Sequence, residues 1–299
     1  MDYLIRVDDL EKRYGDFALQ DVSLAVEPGS VVGFVGSNGA GKTTTLKAIL
    51  GLIVPDGGVI ELLGEPVAGP GARARAQVLD AVKARIGVVF DTCAFPATCR
   101  VADVGVIGRA AYPTWSRRRF EELCEAFGLA PKKTVKELSR GMGMKLTLAF
   151  ALAHDPELLV LDEATAGLDP LARDEVLDIL RGFMASGDRG ILMSTHITSD
   201  LEKIADEVVC IDAGHPVFSL PKDVICDEAG VARCRAGELE EVLGSGALAP
   251  GAARVLRHDY GVDVLVPDRF AFAQAFPAIP VDRASIEDYM TLTLKGAAL

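Results

Sequence analysis

No run of about 18 apolar residues passes along these 299 residues without a charge or a helix breaker, so no segment of the sequence is suited to spanning a bilayer. The opening Met1-Asp2-Tyr3-Leu4-Ile5-Arg6 lacks the basic-then-apolar order of a signal peptide, and the chain is expected to stay in the cytosol. Basic charge is short too: 31 Lys and Arg face 43 Asp and Glu, for a formal charge of -12 and an isoelectric point near 4.9. Nucleic acid is therefore not expected as a partner, because phosphate-backbone binding draws on a basic surface. Six cysteines are too few for a disulfide framework in a chain of this length. Cys93 and Cys99 form the only close pair, but they lack metal-ligand spacing and a neighbouring histidine. His154, His215 and His258 also stand without a visible cluster of carboxylates or thiols, and structural or surface roles are expected for them.

What is present suits a globular protein, with 49% hydrophobic and 25% charged residues. Apolar runs bounded by Gly and Pro alternate with longer helical patterns, which predicts an α/β fold with a mostly parallel sheet. Buried strands are expected at 31–35, 86–90, 158–161, 191–194 and 208–211. A helix is expected from Lys42 until Gly51 stops it, and another from the capping-box spacing Ser199-Asp200-Leu201-Glu202. The segment 101–154 reads as an all-helical insertion, with no convincing strand. Arg117-Arg118-Arg119 within it reads as a solvated helix start. Beyond Gly214 the pattern weakens. Strand-like pieces at 254–257 and 262–266 follow a Gly/Ala/Pro stretch at 244–253, which predicts a small α+β appendage.

Two motifs carry chemistry. Gly36-Ser37-Asn38-Gly39-Ala40-Gly41-Lys42-Thr43 matches the phosphate-binding loop pattern, after a strand and opening a helix as that role requires. Glycines let the backbone fold into a nest of N–H groups at a helix N-terminus, where negative charge is favoured. Lys42 adds a point charge for the terminal phosphates of a polyphosphate, and the Thr43 hydroxyl is a hard oxygen ligand for Mg²⁺. The second motif is the apolar strand Leu158-Leu159-Val160-Leu161, which ends in Asp162-Glu163. Asp162 is thereby expected at the ligand-binding edge of the sheet, as a metal partner. Glu163 is suited to orienting or deprotonating an attacking water.

With these residues in place, the sequence over about 3–219 resembles the ATPase subunit of ATP-binding cassette (ABC) transporters. Tyr14 resembles the aromatic that stacks on adenine. Leu138-Ser139-Arg140-Gly141-Met142 resembles the family signature, ordinarily Leu-Ser-Gly-Gly-Gln. Ala166-Gly167-Leu168-Asp169 resembles the loop that crosses the dimer interface, and His196 the switch histidine that meets the γ-phosphate. Asp91 occupies the place of a glutamine in most members.

The resemblance implies a phosphate-loop core, an N-terminal antiparallel β-subdomain, a helical subdomain at about 92–154, and an ABC ATPase domain spanning 1–219. Residues 220–299 are then a small accessory domain. It also implies that Tyr14, Gly36, Ser37, Asn38, Gly39, Ala40, Gly41, Lys42, Thr43 and Thr44 of one subunit enclose ATP with Ser139 and Gly141 of a second. Thr43, Asp91 and Asp162 would hold Mg²⁺, while Glu163, His196 and Lys42 would serve catalysis. Arg140 and Met142 depart from the signature, and the tail 283–290 resembles an exporter-type (ABC-2) branch. A second cassette and a separate membrane permease follow as expected partners, with the chain held peripherally at the inner face of the membrane. The helical insertion would receive the permease's cytoplasmic helix. The competing readings are a soluble cassette ATPase acting on a cytosolic complex and a module that holds ATP without hydrolysing it.

Overall fold

The computed structural model describes residues 2–69, 76–245, 248 and 253–298. Six strands form the central sheet: β3 (Val31–Gly36), β6 (Ile86–Val89), β7 (Leu158–Asp162), β8 (Gly190–Ser194), β9 (Glu207–Asp212) and β10 (His215–Pro221). Their order is β10-β9-β3-β8-β7-β6, all parallel except β10, which returns antiparallel beside β9. Every residue of β3, β7 and β8 is buried. Such unbroken apolar runs belong to parallel strands covered on both faces. Register pairs both Phe34 of β3 and Asp162 of β7 with Ser194 of β8, so the ends of three strands come level.

A four-stranded antiparallel sheet, β2-β1-β4-β5, covers one face with β1 (Ile5–Tyr14), β2 (Phe17–Val26), β4 (Gly57–Leu62) and β5 (Glu65–Ala68). Leu46 and Ile49 of α1 (Lys42–Ile49) sit in the core between the two sheets. Gly51, at φ +64°, ends that helix with its N–H on the Ala48 carbonyl. The short α2 (Ala76–Lys83) leads into β6.

The other face receives the helices. Within residues 92–154 lie α3 (Val101–Ala111), α4 (Arg117–Ala126) and α5 (Arg140–Ala153), with a single 3₁₀ turn at Val135–Glu137. Ser116 caps α4, and Arg117 and Arg118 pair along its exposed surface with Glu121 and Glu122. Helix α6 (Pro170–Met184) follows β7, and α7 (Thr198–Ile204) joins β8 to β9. The capping box expected at Ser199 does not form. The cap lies two residues earlier, at Ile197, whose N–H donates to the Thr195 hydroxyl, which takes over the local turn.

The last part of the chain folds as βαββαβ: β11 (Gly230–Cys234), α8 (Ala236–Gly244), β12 (Arg254–His258), β13 (Gly261–Val266), α9 (Arg269–Ala275) and β14 (Val281–Arg283). With the two-residue β15 (Ala297–Ala298) they make an antiparallel sheet in the order β14-β11-β13-β12-β15, a split βαβ arrangement. Most of the 244–253 stretch lies outside the described residues. Leu239 and Val242 of α8 and Phe272 of α9 pack on one face of this sheet, and α10 (Ile286–Lys295) lies on the other. Residue 220 falls inside β10, the edge strand of the central sheet. His258, in no cluster of carboxylates or thiols visible in the sequence, bonds Asp263 of the adjacent strand.

Candidate functional site

The turn between β3 and α1 is shaped by three glycines in left-handed or related conformations, Gly36, Gly39 and Gly41, at φ +155°, +81° and +110°. A Cβ on Gly36 would lie 2.1 Å from the Ile211 carbonyl oxygen of β9, so no side chain is tolerated there. Gly41 stands at the N-cap of α1, and among the described residues no side chain caps the helix. The N–H groups of its first turn therefore face outward, as an anion site requires. Lys42 is 8% exposed, and its Nζ donates to the carbonyls of Gly36 at 2.8 Å and Ser37 at 3.1 Å. The ammonium is thus held against the inside of the loop. Ser37 donates its hydroxyl to Asp212 at the end of β9, an anchor that the motif alone did not reveal.

Asp162 ends β7 buried, and its Oδ2 accepts from the Thr43 hydroxyl at 2.8 Å. Glu163 follows at φ +56°, a conformation that an L-residue adopts at a cost. Its N–H donates to the Ser194 carbonyl, which fixes the turn. The Glu163 carboxylate meets His196 Nδ1 at 2.6 Å. These residues gather around a cavity of about 310 Å³ lined by Phe17, residues 38–44, Asp162 and Glu163.

Not every expected residue reaches that cavity. Phe17, not Tyr14, supplies its aromatic wall. The two are cross-strand partners in the β1–β2 hairpin, but Phe17 packs directly over Gly41 while Tyr14 stands outside, with Lys12 Nζ 5.2 Å from its ring centre. Phe17 could have been read from the sequence as the other aromatic of a two-residue hairpin. Asp91 is exposed two residues beyond β6 and is absent from the lining. Its strand, β6, forms the sheet edge beside β7, whose end carries Asp162. Ser139 and Gly141 also lie outside the cavity. Ser139 caps α5 by accepting from the Met142 N–H at 3.2 Å. A Cβ on Gly141 would lie 3.0 Å from Leu168, so the signature segment packs on the 166–169 loop of its own chain.

The donor set fits magnesium triphosphate: an uncapped helix N-terminus and an ammonium for the phosphates, with a hydroxyl and a carboxylate already in contact for a hard cation. A strand–glycine turn–helix carrying Lys, backed by an acid pair on a neighbouring strand, defines a phosphate-loop nucleotide-binding protein. Comparison with known proteins narrows the class. The family model for the ABC transporter matches residues 19–166. The Nod factor export ATP-binding protein I of Ralstonia nicotianae is 38% identical over 235 residues, 76% of this chain and 70% of its own. The protein of the same name from Burkholderia orbicola is 41% identical over 231 residues, 74% of this chain and 72% of its own. A solved ATP-binding subunit of an ABC transporter superposes with a TM-score of 0.67 at 29% identity, covering 74% of this chain and 91% of that one. An ATP-binding cassette in a dimeric post-hydrolysis state with ADP and Pi shares the fold, with a TM-score of 0.64 at 18% identity over 73% of this chain and 98% of its own. The chain belongs to the ATP-binding subunits of ABC transporters, and its activity is that of an ATPase.

Proposed function

We propose that this subunit powers export through a separate membrane permease, by closing on ATP with a second cassette and reopening after hydrolysis. The observation that carries the reading is the convergence of Lys42, the Thr43–Asp162 pair and the Glu163–His196 pair at one helix N-terminus. Lys42, released from the Gly36 and Ser37 carbonyls, reaches the β- and γ-phosphates. The N–H groups of residues 39–44 bind the same phosphates, Phe17 supplies the aromatic wall of the cavity, and Tyr14, outside it, is assigned to the adenine. Thr43 and Asp162 hold the magnesium ion, which supplies charge neutralisation at the phosphates when bound. Asp91 joins them only if the loop after β6 moves inward on closure.

Glu163 accepts a proton from the attacking water. His196 fixes the Glu163 carboxylate through Nδ1, which leaves its other ring nitrogen for the γ-phosphate. Ser139 and Gly141 lie outside this cavity and so are assigned to the partner's nucleotide, at the N-terminus of α5. Two half-sites from each chain then make two whole sites, with an identical or paralogous second cassette.

The export relatives support the direction of transport, and no helix among the described residues is long and apolar enough to cross a membrane. The permease's cytoplasmic helix is assigned to the groove between α3 and α4. That groove has a volume of about 680 Å³, with Val101, Val106, Trp115, Phe120 and Leu129 on its walls and Arg109 and Glu125 at its rim. Held there, the subunit sits at the cytoplasmic face of the membrane.

The decisive experiment is Glu163→Gln. Nucleotide binding should persist, turnover should fall by about 100-fold or more, and an ATP-dependent dimer should accumulate. Unchanged turnover would remove Glu163 from the chemistry, and a chain that stays single with ATP would end the sandwich reading.

A further inference from the structure

Helix α7 begins two residues after His196, and α6 begins directly after the 166–169 loop, with Asp169 capping it. The first turns of these two helices carry an unusual pair. Asp200 is 1% exposed, and neither of its carboxylate oxygens has a hydrogen-bond partner among the described residues. Arg173 of α6 stands opposite, its buried Nε without a hydrogen bond and ion-paired with Asp200 Oδ2 at 3.9 Å. A buried carboxylate and a buried guanidinium nitrogen each carry a desolvation cost that only direct bonding offsets. Here they are separated by less than 1 Å beyond bonding range.

The far end of α7 differs. Lys203 Nζ reaches Asp174 of α6 at 2.6 Å, Arg181 donates to the Lys203 carbonyl at 3.4 Å, and Glu202 accepts from the Ile286 N–H at 3.0 Å. The helix is hydrogen-bonded at its C-terminal end and held only by the long ion pair at the end nearest His196. Closing the Arg173–Asp200 gap draws the first turns of α6 and α7 together. The 166–169 loop and His196, one helix start away on either side, must move with them.

We propose that Asp200 and Arg173 are positioning residues whose long ion pair shortens to a hydrogen bond only when ATP closes the dimer, coupling the interface loop to the switch histidine. This rests on the sandwich reading above. Formation of the bond satisfies two buried groups at once, and it favours the arrangement in which Glu163 and His196 are set for reaction.

The test compares Asp200→Asn, Asp200→Glu and Arg173→Met, each alone for kinetics and in a Glu163→Gln background for ATP-driven dimerisation by sedimentation. Asp200→Asn keeps the shape and removes the charge. It should lower kcat by about tenfold, the scale of a coupling between sites, while nucleotide affinity of the single subunit and the melting temperature stay near the parent values. The dimer should require correspondingly more ATP. Arg173→Met should match it. Asp200→Glu, one methylene longer, spans the gap and should retain parental kcat, a rescue that simple loss of packing would not give. Asp174→Asn, which removes the hydrogen bond already formed with Lys203 at the C-terminal end of α7, serves as the comparison and should leave kcat unchanged. Equal dimerisation and kcat in Asp200→Asn and the parent overturn the inference alone, as does an Asp200→Glu variant as slow as Asp200→Asn. If Glu163→Gln itself fails to dimerise with ATP, the sandwich reading falls and takes the coupling with it.

Discussion

His154 is 1% exposed at the end of α5, stacked on the Tyr112 ring at 3.9 Å with Nε2 against the Ile86 carbonyl. Burial is the main cause that holds its imidazole below the ordinary histidine range, so the folded chain keeps it neutral. An unfolded chain takes up the proton near pH 6.5, and the stability that the neutral ring supports is lost as pH falls below that value. Urea midpoints measured at pH 7.5 and 5.5 should fall on acidification, and less steeply in His154→Gln. Parallel slopes would assign the loss to other groups. Single residues also mark the limit of the sequence. That Lys42, Thr43, Asp162 and Glu163 come together at one cavity was legible, because local spacing sets each on a strand end or a helix start. Tyr14 and Asp91 stand outside the cavity, and where they stand depends on hairpin packing and strand order, which no local pattern encodes.

At the scale of an element, the β3–α1 turn is held from outside as much as from within. The Cβ that Gly36→Ala would add meets the Ile211 carbonyl at 2.1 Å, and that oxygen belongs to the rigid backbone of β9 rather than to a side chain that can rotate away. The loop must therefore shift, carrying the Ser37 and Lys42 contacts with it. Gly36→Ala should weaken ATP binding by at least about tenfold, equivalent to 1.4 kcal/mol, in an equilibrium titration. A parental affinity would mean that the turn re-forms around the methyl group. Helices were legible where periodicity and caps agreed, as at Lys42 and within 145–153. The start of α7 was missed by two residues because the Thr195 hydroxyl, not the Ser199 hydroxyl, serves the turn before it. The βαββαβ order of the last segment was hidden for a related reason. Strands such as β14, three residues long, carry too little alternation to register, and they acquire meaning only through pairing with β11.

Across the whole molecule, the accessory module is joined to the nucleotide core through the same helix that follows the switch histidine. Ile286, fully buried at the first turn of α10, packs in the core cluster that also holds Leu201 of α7 and Ile191 of β8. Its N–H donates to Glu202 of α7, and Tyr289 meets Phe218 of β10 edge-on at 5.1 Å. Yet the far side of the module has its own apolar core among α8, α9 and the sheet, which gives it the means to stay folded when that seam is weakened. Ile286→Ala removes a buried side chain at the seam and should cost about 2–5 kcal/mol. Because the loss falls between two cores rather than inside either, calorimetry should resolve two transitions in the variant where the parent shows one. The lower transition should belong to the half whose remaining contacts are fewer. A single transition displaced intact would instead mean that residues 222–298 have no stability apart from the ATPase core. In that case the module is an extension of α7, and any signal it carries reaches His196 through that helix.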